Sequence, residues 1–402
     1  MILNSTLIII SSLSLFLLTG PFIPNLIISL CALGMIFFYI KNYGKIYLNK
    51  FFFITYFFFI LIFIISSLVS ENIYNSLEHS LFYFRFILFS ILLAILIDKY
   101  NQINKYIYFI MLFTVIFLIF DSFIQFYFKN NLFSQPILRN RVSSVFGDEF
   151  ILGSYLSRIM PLVFALAYFG KYLKKYNEPV LIFLSIFCFI IVYLTGERVA
   201  IINCFISILF LTIILESKKL IKYVLAFYLF IITYLLFFSN LIINNRIIQS
   251  TISQMGLFDD KKYIFSRFIE GYYYTGLNMF YANPLFGVGP KNFRLNCDDA
   301  QYGHLLPIHD NCNNHPHNIL IQLLAESGIF TSLIFIVFFV WIIFNMIKYL
   351  IISLKTRENN FYKFNFFIFF GLFINISPIV PSGNFFNSWL ASIYYLFFAY
   401  IL

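Results

Sequence analysis

Apolar runs of bilayer-crossing length follow one another along almost the whole chain. A transmembrane helix needs roughly 20 consecutive apolar residues. Runs near that length fall at 2–18, 22–40, 51–69, 80–97, 106–128, 149–169, 179–195, 198–215, 220–239, 326–347, 364–381 and 384–402. A barrel would instead show shorter segments alternating between apolar and polar residues. The pattern therefore predicts an all-α, polytopic integral membrane protein of about 12 transmembrane helices. No Lys or Arg precedes the first run, so it reads as a span and not as a cleaved signal peptide. One interval, 240–325, breaks the rhythm between helices 9 and 10. It far exceeds the roughly 12–15 residues at which a structureless loop becomes unusual, and function is expected there. Four parts follow: 1–128 with helices 1–5, 129–240 with helices 6–9 and Arg-containing outer loops, 241–325 as a periplasmic segment, and 326–402 with helices 10–12.

Composition agrees: 61% of residues are hydrophobic and 11% charged, against about 25% charged in soluble domains. Charge then orients the spans. Loops 41–50, 98–105, 170–178, 216–222 and 348–363 hold 15 of the 27 Lys and Arg residues. Basic loops stay in the cytoplasm. Alternation places both termini inside, and loops 70–79, 129–148, the turn at 195–198 and the segment 240–325 outside. The net charge of +10 is thus a topology signal, and no nucleic-acid partner is needed to explain it.

Within the long segment, "SRFIEGYYYTGLNMFYANPLFGVGPKNF" predicts an amphipathic helix ending near Asn283 and Pro284, then a turn carrying Gly287 and Gly289. Such a helix can lie on the membrane surface or touch substrate. The glycines are no phosphate loop, because no strand precedes them. Four of the five histidines, His304, His309, His315 and His317, share this segment with Cys297 and Cys312. Their spacing fits no closed zinc pattern, so neither metal nor cofactor is expected, and the two cysteines read as a disulfide on an oxidising face. Cys31, Cys188 and Cys204 read as packing residues.

Arg85, Asp121 and Arg158 interrupt apolar spans, where ionised groups are costly and mark a cavity or a partner. With Arg198, Arg139 and Arg141, five arginines gather on the outer side. Arg85 paired with Asp121, and loop arginines snorkelling to headgroups, would explain each alone. Together they point to an anionic substrate, since the guanidinium fork suits phosphate.

These residues resemble the bacterial O-antigen ligase and polymerase-like membrane proteins. The ligase signature is a His followed by Asn, Ser or Gln, nine residues, Gly, two residues, and Gly, Thr or Tyr. His317, Asn318, Gly328 and Thr331 satisfy it. "TGERVAII" resembles the family's Arg motif through Arg198 and Ile202, with Ile where Leu is usual, and "NPLFGVGPKNF" resembles its glycine segment. "RVSSVFGDEFILGSYL" resembles the Arg-containing outer loop, although Asp148 and Glu149 stand where Pro-Asn is common.

The resemblance implies a metal-independent glycosyltransferase of the bacterial inner membrane, acting on its periplasmic side. Its donor would be a glycan on undecaprenyl pyrophosphate and its acceptor lipid A-core. His317 would be the base, and Arg198, Arg141, Arg158 and Arg139 would bind the diphosphate. Pro316 suggests a helix start with His317 on the first turn, where the dipole lowers an imidazole's pKa. Glu326 falls on the opposite face and is not expected to orient His317. Two alternatives remain: a polymerase joining lipid-linked repeats, and a transporter, which spans and buried charges also suit.

Overall fold

A computed structural model describes residues 2–41, 50–100, 102–216, 225, 227, 249–257, 262–303, 311–357 and 359–402. Among these the chain is helical with no strand. Its helices are α1 (Ile2–Ser11), α2 (Leu13–Phe16), α3 (Phe22–Lys41), α4 (Lys50–Val69), α5 (Ile73–Tyr83), α6 (Arg85–Lys99), α7 (Gln102–Phe128) and α8 (Leu152–Gly170). They continue as α9 (Asn177–Thr195), α10 (Arg198–Ile214), α11 (Ser250–Gln254), α12 (Arg267–Ala282), α13 (Phe293–Asn296), α14 (Ile319–Lys355), α15 (Asn360–Ile376) and α16 (Ser388–Phe398).

Among the described residues, five helical stretches are long and apolar enough to cross a membrane: Ile73–Lys99, Gln102–Phe128, Leu152–Gly170, Lys174–Thr195 and Ile319–Lys355. Five shorter apolar helices accompany them. The expected run at 2–18 is divided among α1, α2 and a 3₁₀ turn, and the run at 220–239 lies outside the described residues. The helix expected at 80–97 begins earlier, at Ile73. Its first turns read as a loop because they are polar, but that polarity faces inward. Ser67 and Ser80 share a hydrogen bond of 2.6 Å, Ser80 donates to Ser76 O, and Ser76 donates to Pro290 O. Small hydroxylated side chains let helices approach closely while satisfying one another. Between α15 and α16, residues 377–387 are irregular, as Pro378 and Pro381 require.

The chain forms two compact units. The first comprises Met1–Gly20, Ile97–Thr251 and Ile343–Ile374, and the second Pro21–Leu96, Ile252–Ile342 and Asn375–Leu402.

In the first unit α8 is the core helix, buried from Leu152 through Tyr168 except at Ser154. α7 anchors the loop that follows it. Asp121 accepts from Leu132 N at 2.9 Å, from Asn131 Nδ2 at 3.4 Å and from the Ser144 hydroxyl. Gln125 Oε1 accepts from Ser143 N at 2.9 Å and Ser144 N at 2.8 Å. The suggested Arg85–Asp121 pair is therefore corrected: loop amides and a hydroxyl use this carboxylate. Arg85, in the second unit, donates to Asn25 Oδ1 at 3.1 Å and lies over the Phe86 ring.

The second unit holds the break that positions the histidines. Inside α14, Gly328 adopts φ +75° and ψ −170°, which ends one helical piece and starts another. Residues 284–289 lie against the break. Val288 N donates to Ala325 O, Gly289 N to Glu326 O and Ile329 N to Pro284 O, each at 2.9 Å. The groups freed by the break thus find partners, as non-helical backbone at membrane depth must. A Cβ on Gly328 would lie 2.1 Å from Leu285 O, and one on Gly287 would lie 2.5 Å from the Glu326 carbonyl carbon. The two glycine motifs of the sequence are the two faces of this contact.

Candidate functional site

In the second unit, α12 starts where Ser266 Oγ accepts from Ile269 N at 3.3 Å. Its buried face is made of Gly271, Thr275, Gly276 and Met279. Gly276 allows close approach, since a Cβ there would stand 2.8 Å from Ile321 Cγ2 and 3.5 Å from Pro316 Cβ. The helix therefore packs one face on the histidine-bearing segment. Met279, Val288, Phe293, Cys297, Tyr302 and Ala325 form a core beneath it, with Tyr272 and Cys312 packed against them. Cys297 and Cys312 are disulfide-bonded with Cα atoms 5.1 Å apart, as expected. His304 and His309 lie outside the described residues.

His317 is not on the first turn of α14. The helix begins at Ile319, and Asn318 caps it, its Oδ1 accepting from Leu320 N at 3.0 Å and Ile321 N at 3.1 Å. An Asn side chain satisfies first-turn amides, which puts the preceding residue outside the helix. His317 accordingly takes φ +57°. Ser382 N donates to His317 O at 2.8 Å, and Asn318 Nδ2 donates to Pro378 O at 2.7 Å, so the 377–387 segment clamps both sides. The His317 ring lies 5.6 Å from that of Tyr272 and 4.1 Å from that of His315.

The two imidazoles differ. His315 is buried, with Nε2 3.2 Å from Ser382 O; a carbonyl only accepts, so Nε2 carries the proton. Burial, then the neighbouring His317, pushes its pKa down to about 3. His317 is half-buried, and burial lowers its pKa below 6.5, with a hydrogen bond that the ring donates to the Ser382 backbone acting the other way. Burial, more than the expected helix dipole, keeps His317 neutral and able to accept a proton.

Glu326 does not reach toward His317. It is fully buried and accepts from Phe293 N at 3.0 Å and Gln322 Nε2 at 2.9 Å, holding the glycine segment to α14.

The arginines occupy the first unit. Gly196 (φ +68°) turns α9 into Glu197, which leads α10 with Arg198 as its first residue. The Glu197 carboxylate accepts from Gly153 N at 2.8 Å and Ser154 N at 2.9 Å, the first amides of α8. Arg141 is buried, donates from Nε to Thr195 O at 2.7 Å, and sits 4.2 Å over the Phe150 ring. Its Nη2 is 4.0 Å from Glu197 Oε1. Arg158, also buried, donates from Nε to Ser154 Oγ at 3.0 Å. Arg139 is exposed, 5.8 Å over Phe150. The structure thus brings Arg141 and Arg158 together around Glu197, with Arg139 sharing the Phe150 ring.

Glu197, given no role in the sequence reading, is the hub. Burial pushes its carboxyl up to about 7, opposed by the Gly153 and Ser154 amides and by Arg141 and Arg158. Its signal was its place before Arg198 in "TGERVAII".

Asp121 holds the loop that carries Arg139 and Arg141. Asp121→Ala strips acceptors from Leu132 N, the Asn131 amide and the Ser144 hydroxyl, at about 1–3 kcal/mol for a buried group left unsatisfied. Limited proteolysis should then cut within 129–148 much faster than in wild type; equal protection would remove Asp121 from this role.

Residues 183–336 match the family model described as O-Antigen ligase. The match includes Glu197, Arg198, both glycine motifs and His317, whereas Arg139, Arg141 and Arg158 precede it. No curated protein matches the chain.

Proposed function

We propose that this O-antigen ligase-like membrane protein transfers a glycan from undecaprenyl pyrophosphate to lipid A-core at the periplasmic side of the bacterial inner membrane. His317 is the base and Arg198, Arg141, Arg158 and Arg139 receive the charge of the leaving diphosphate. The acceptor hydroxyl oxygen forms the new bond to the anomeric carbon, and its proton passes to His317. The bond from that carbon to phosphate breaks, and its electron pair leaves with undecaprenyl pyrophosphate. Preorganised cations at the developing negative charge lower this barrier without a metal.

The observation that carries the reading is the fixing of one neutral, half-buried imidazole. The Asn318 cap, the Ser382 amide and the Tyr272 ring hold it, inside the segment matched by the family. Surface-polysaccharide analysis in a deletion strain tests the reaction. Bare lipid A-core beside accumulated long lipid-linked chains is the expected result, and complementation with Arg198→Ala should leave it unchanged. Single capped repeats would instead assign the chain to polymerisation.

A further inference from the structure

The proposed reaction leaves a second basic cluster, in the second unit, without a role. Lys291 follows Gly289 and Pro290, and adopts φ +63°, a conformation that non-glycine residues seldom hold without a functional or packing reason. Three residues on, Arg294 is exposed and donates from Nη2 to Asn75 Oδ1 at 3.3 Å. Asn75 in turn donates to Asn292 Oδ1 at 2.8 Å, and Asn292 to Val288 O at 3.0 Å. His79, one turn after Asn75 on α5, feels the charges of Lys291, Arg294 and Arg85. Glu78 and Glu326 also act on Lys291. Among the described residues, however, neither Lys291 nor Arg294 forms an ion pair with a carboxylate.

Lys291 and Arg294, three residues apart, repel one another, Glu78 and Glu326 offset this at Lys291, and an anion between the two cations relieves it further. Arg294 also lines an open polar depression of about 340 Å³ with Asp298, Cys312, Asn313 and Asn314. Asn314 leads directly into His315 and His317. Asn75 and His79 sit in the first two turns of a stretch long enough and apolar enough to cross a membrane. Lys as a point charge, Arg as a bidentate fork and an imidazole together suit a phosphate better than a sugar hydroxyl.

We propose that Lys291, Arg294 and His79 form a second phosphate-binding subsite, which holds a phosphate group on the lipid-borne acceptor. The assignment to the acceptor rests on the proposed function. A general base must lie within hydrogen-bond reach of the hydroxyl it deprotonates, so the subsite in the unit that carries His317 belongs to the acceptor.

The test is equilibrium binding to the full-length protein in detergent. The probes are dihexanoyl phosphatidic acid, dihexanoyl phosphatidylcholine and inorganic phosphate. Phosphatidic acid should bind at least about tenfold more tightly than phosphatidylcholine, since one lost charge-assisted hydrogen bond of about 1.5 kcal/mol is worth that factor. Lys291→Met with Arg294→Gln should remove the preference. Arg294→Glu, at an exposed position, should remove it without affecting folding. His317→Ala and Arg198→Ala should leave it intact, so the subsite can fail or stand independently of the proposed reaction. Equal affinity for the two lipids, or undiminished preference in a folded Arg294→Glu protein, would overturn the subsite. Inorganic phosphate binding as tightly as phosphatidic acid would overturn its assignment to a lipid-borne ligand.

Discussion

His317→Ala is expected to abolish glycan attachment while leaving the amount of folded protein in the membrane unchanged. Removing a positioned base typically costs 10²–10⁴-fold. The fold should tolerate the change, because what it uses of His317 is the backbone carbonyl that accepts from Ser382 N and the turn that precedes the Asn318 cap. Wild-type attachment in this variant would remove His317 from the mechanism. pH provides an independent check. Burial holds the imidazole below its ordinary 6.5, so it stays neutral as pH falls through that value, and transfer by the purified enzyme should decline only at more acid pH. A rate halved at 6.5 would mean that the imidazole is solvated and unperturbed.

Gly328→Val is expected to prevent accumulation of folded protein. The backbone there is left-handed at φ +75°, and a Cβ would lie 2.1 Å from Leu285 O, a backbone atom that cannot rotate away. At ψ −170° this positive-φ backbone is one that essentially only glycine adopts, at about 1–3 kcal/mol for a substituted residue, and overpacking typically adds about 1–3 kcal/mol. The sum is a large share of the roughly 5–15 kcal/mol that holds ordinary domains together. Gly287→Ala attacks the same contact from its other side. Fluorescence-detected size exclusion of the solubilised variants should show loss or aggregation, whereas a wild-type peak and melting temperature for Gly328→Val would refute the interlocked break.

The helical skeleton was legible because apolar runs state their own solvent. Runs at 106–128, 149–169 and 179–195 became α7, α8 and α9 with small boundary changes. The start of α5 was not legible, because Ser76 and Ser80 are polar for the sake of helix contacts and not of water. The motif spacing located His317 and Gly328 but not the reason for that spacing. The nine residues after Asn318 are one short helical piece, closed by the cap at one end and by the left-handed break at the other. Ser382, which clamps the histidines, lies more than sixty residues away in sequence, and no local pattern announces it. Asp121 was misleading for the opposite reason. A charge in an apolar run suggested a cavity or a pairing with Arg85, yet its partners are amides and a hydroxyl of its own following loop. Glu197 shows the same limit, since only folding brings the first amides of α8 to its carboxylate.

The sidedness of the histidine segment tests the account most directly. Asn314 is exposed and precedes His315, while the native free thiols Cys31, Cys188 and Cys204 are buried and Cys297 is bonded to Cys312. Asn314→Cys therefore offers one reactive thiol that leaves both histidines in place. A membrane-impermeant maleimide should label it in intact spheroplasts as fully as in lysed ones. Labelling only after lysis would put His317 on the cytoplasmic face and contradict transfer from a donor at the outer leaflet.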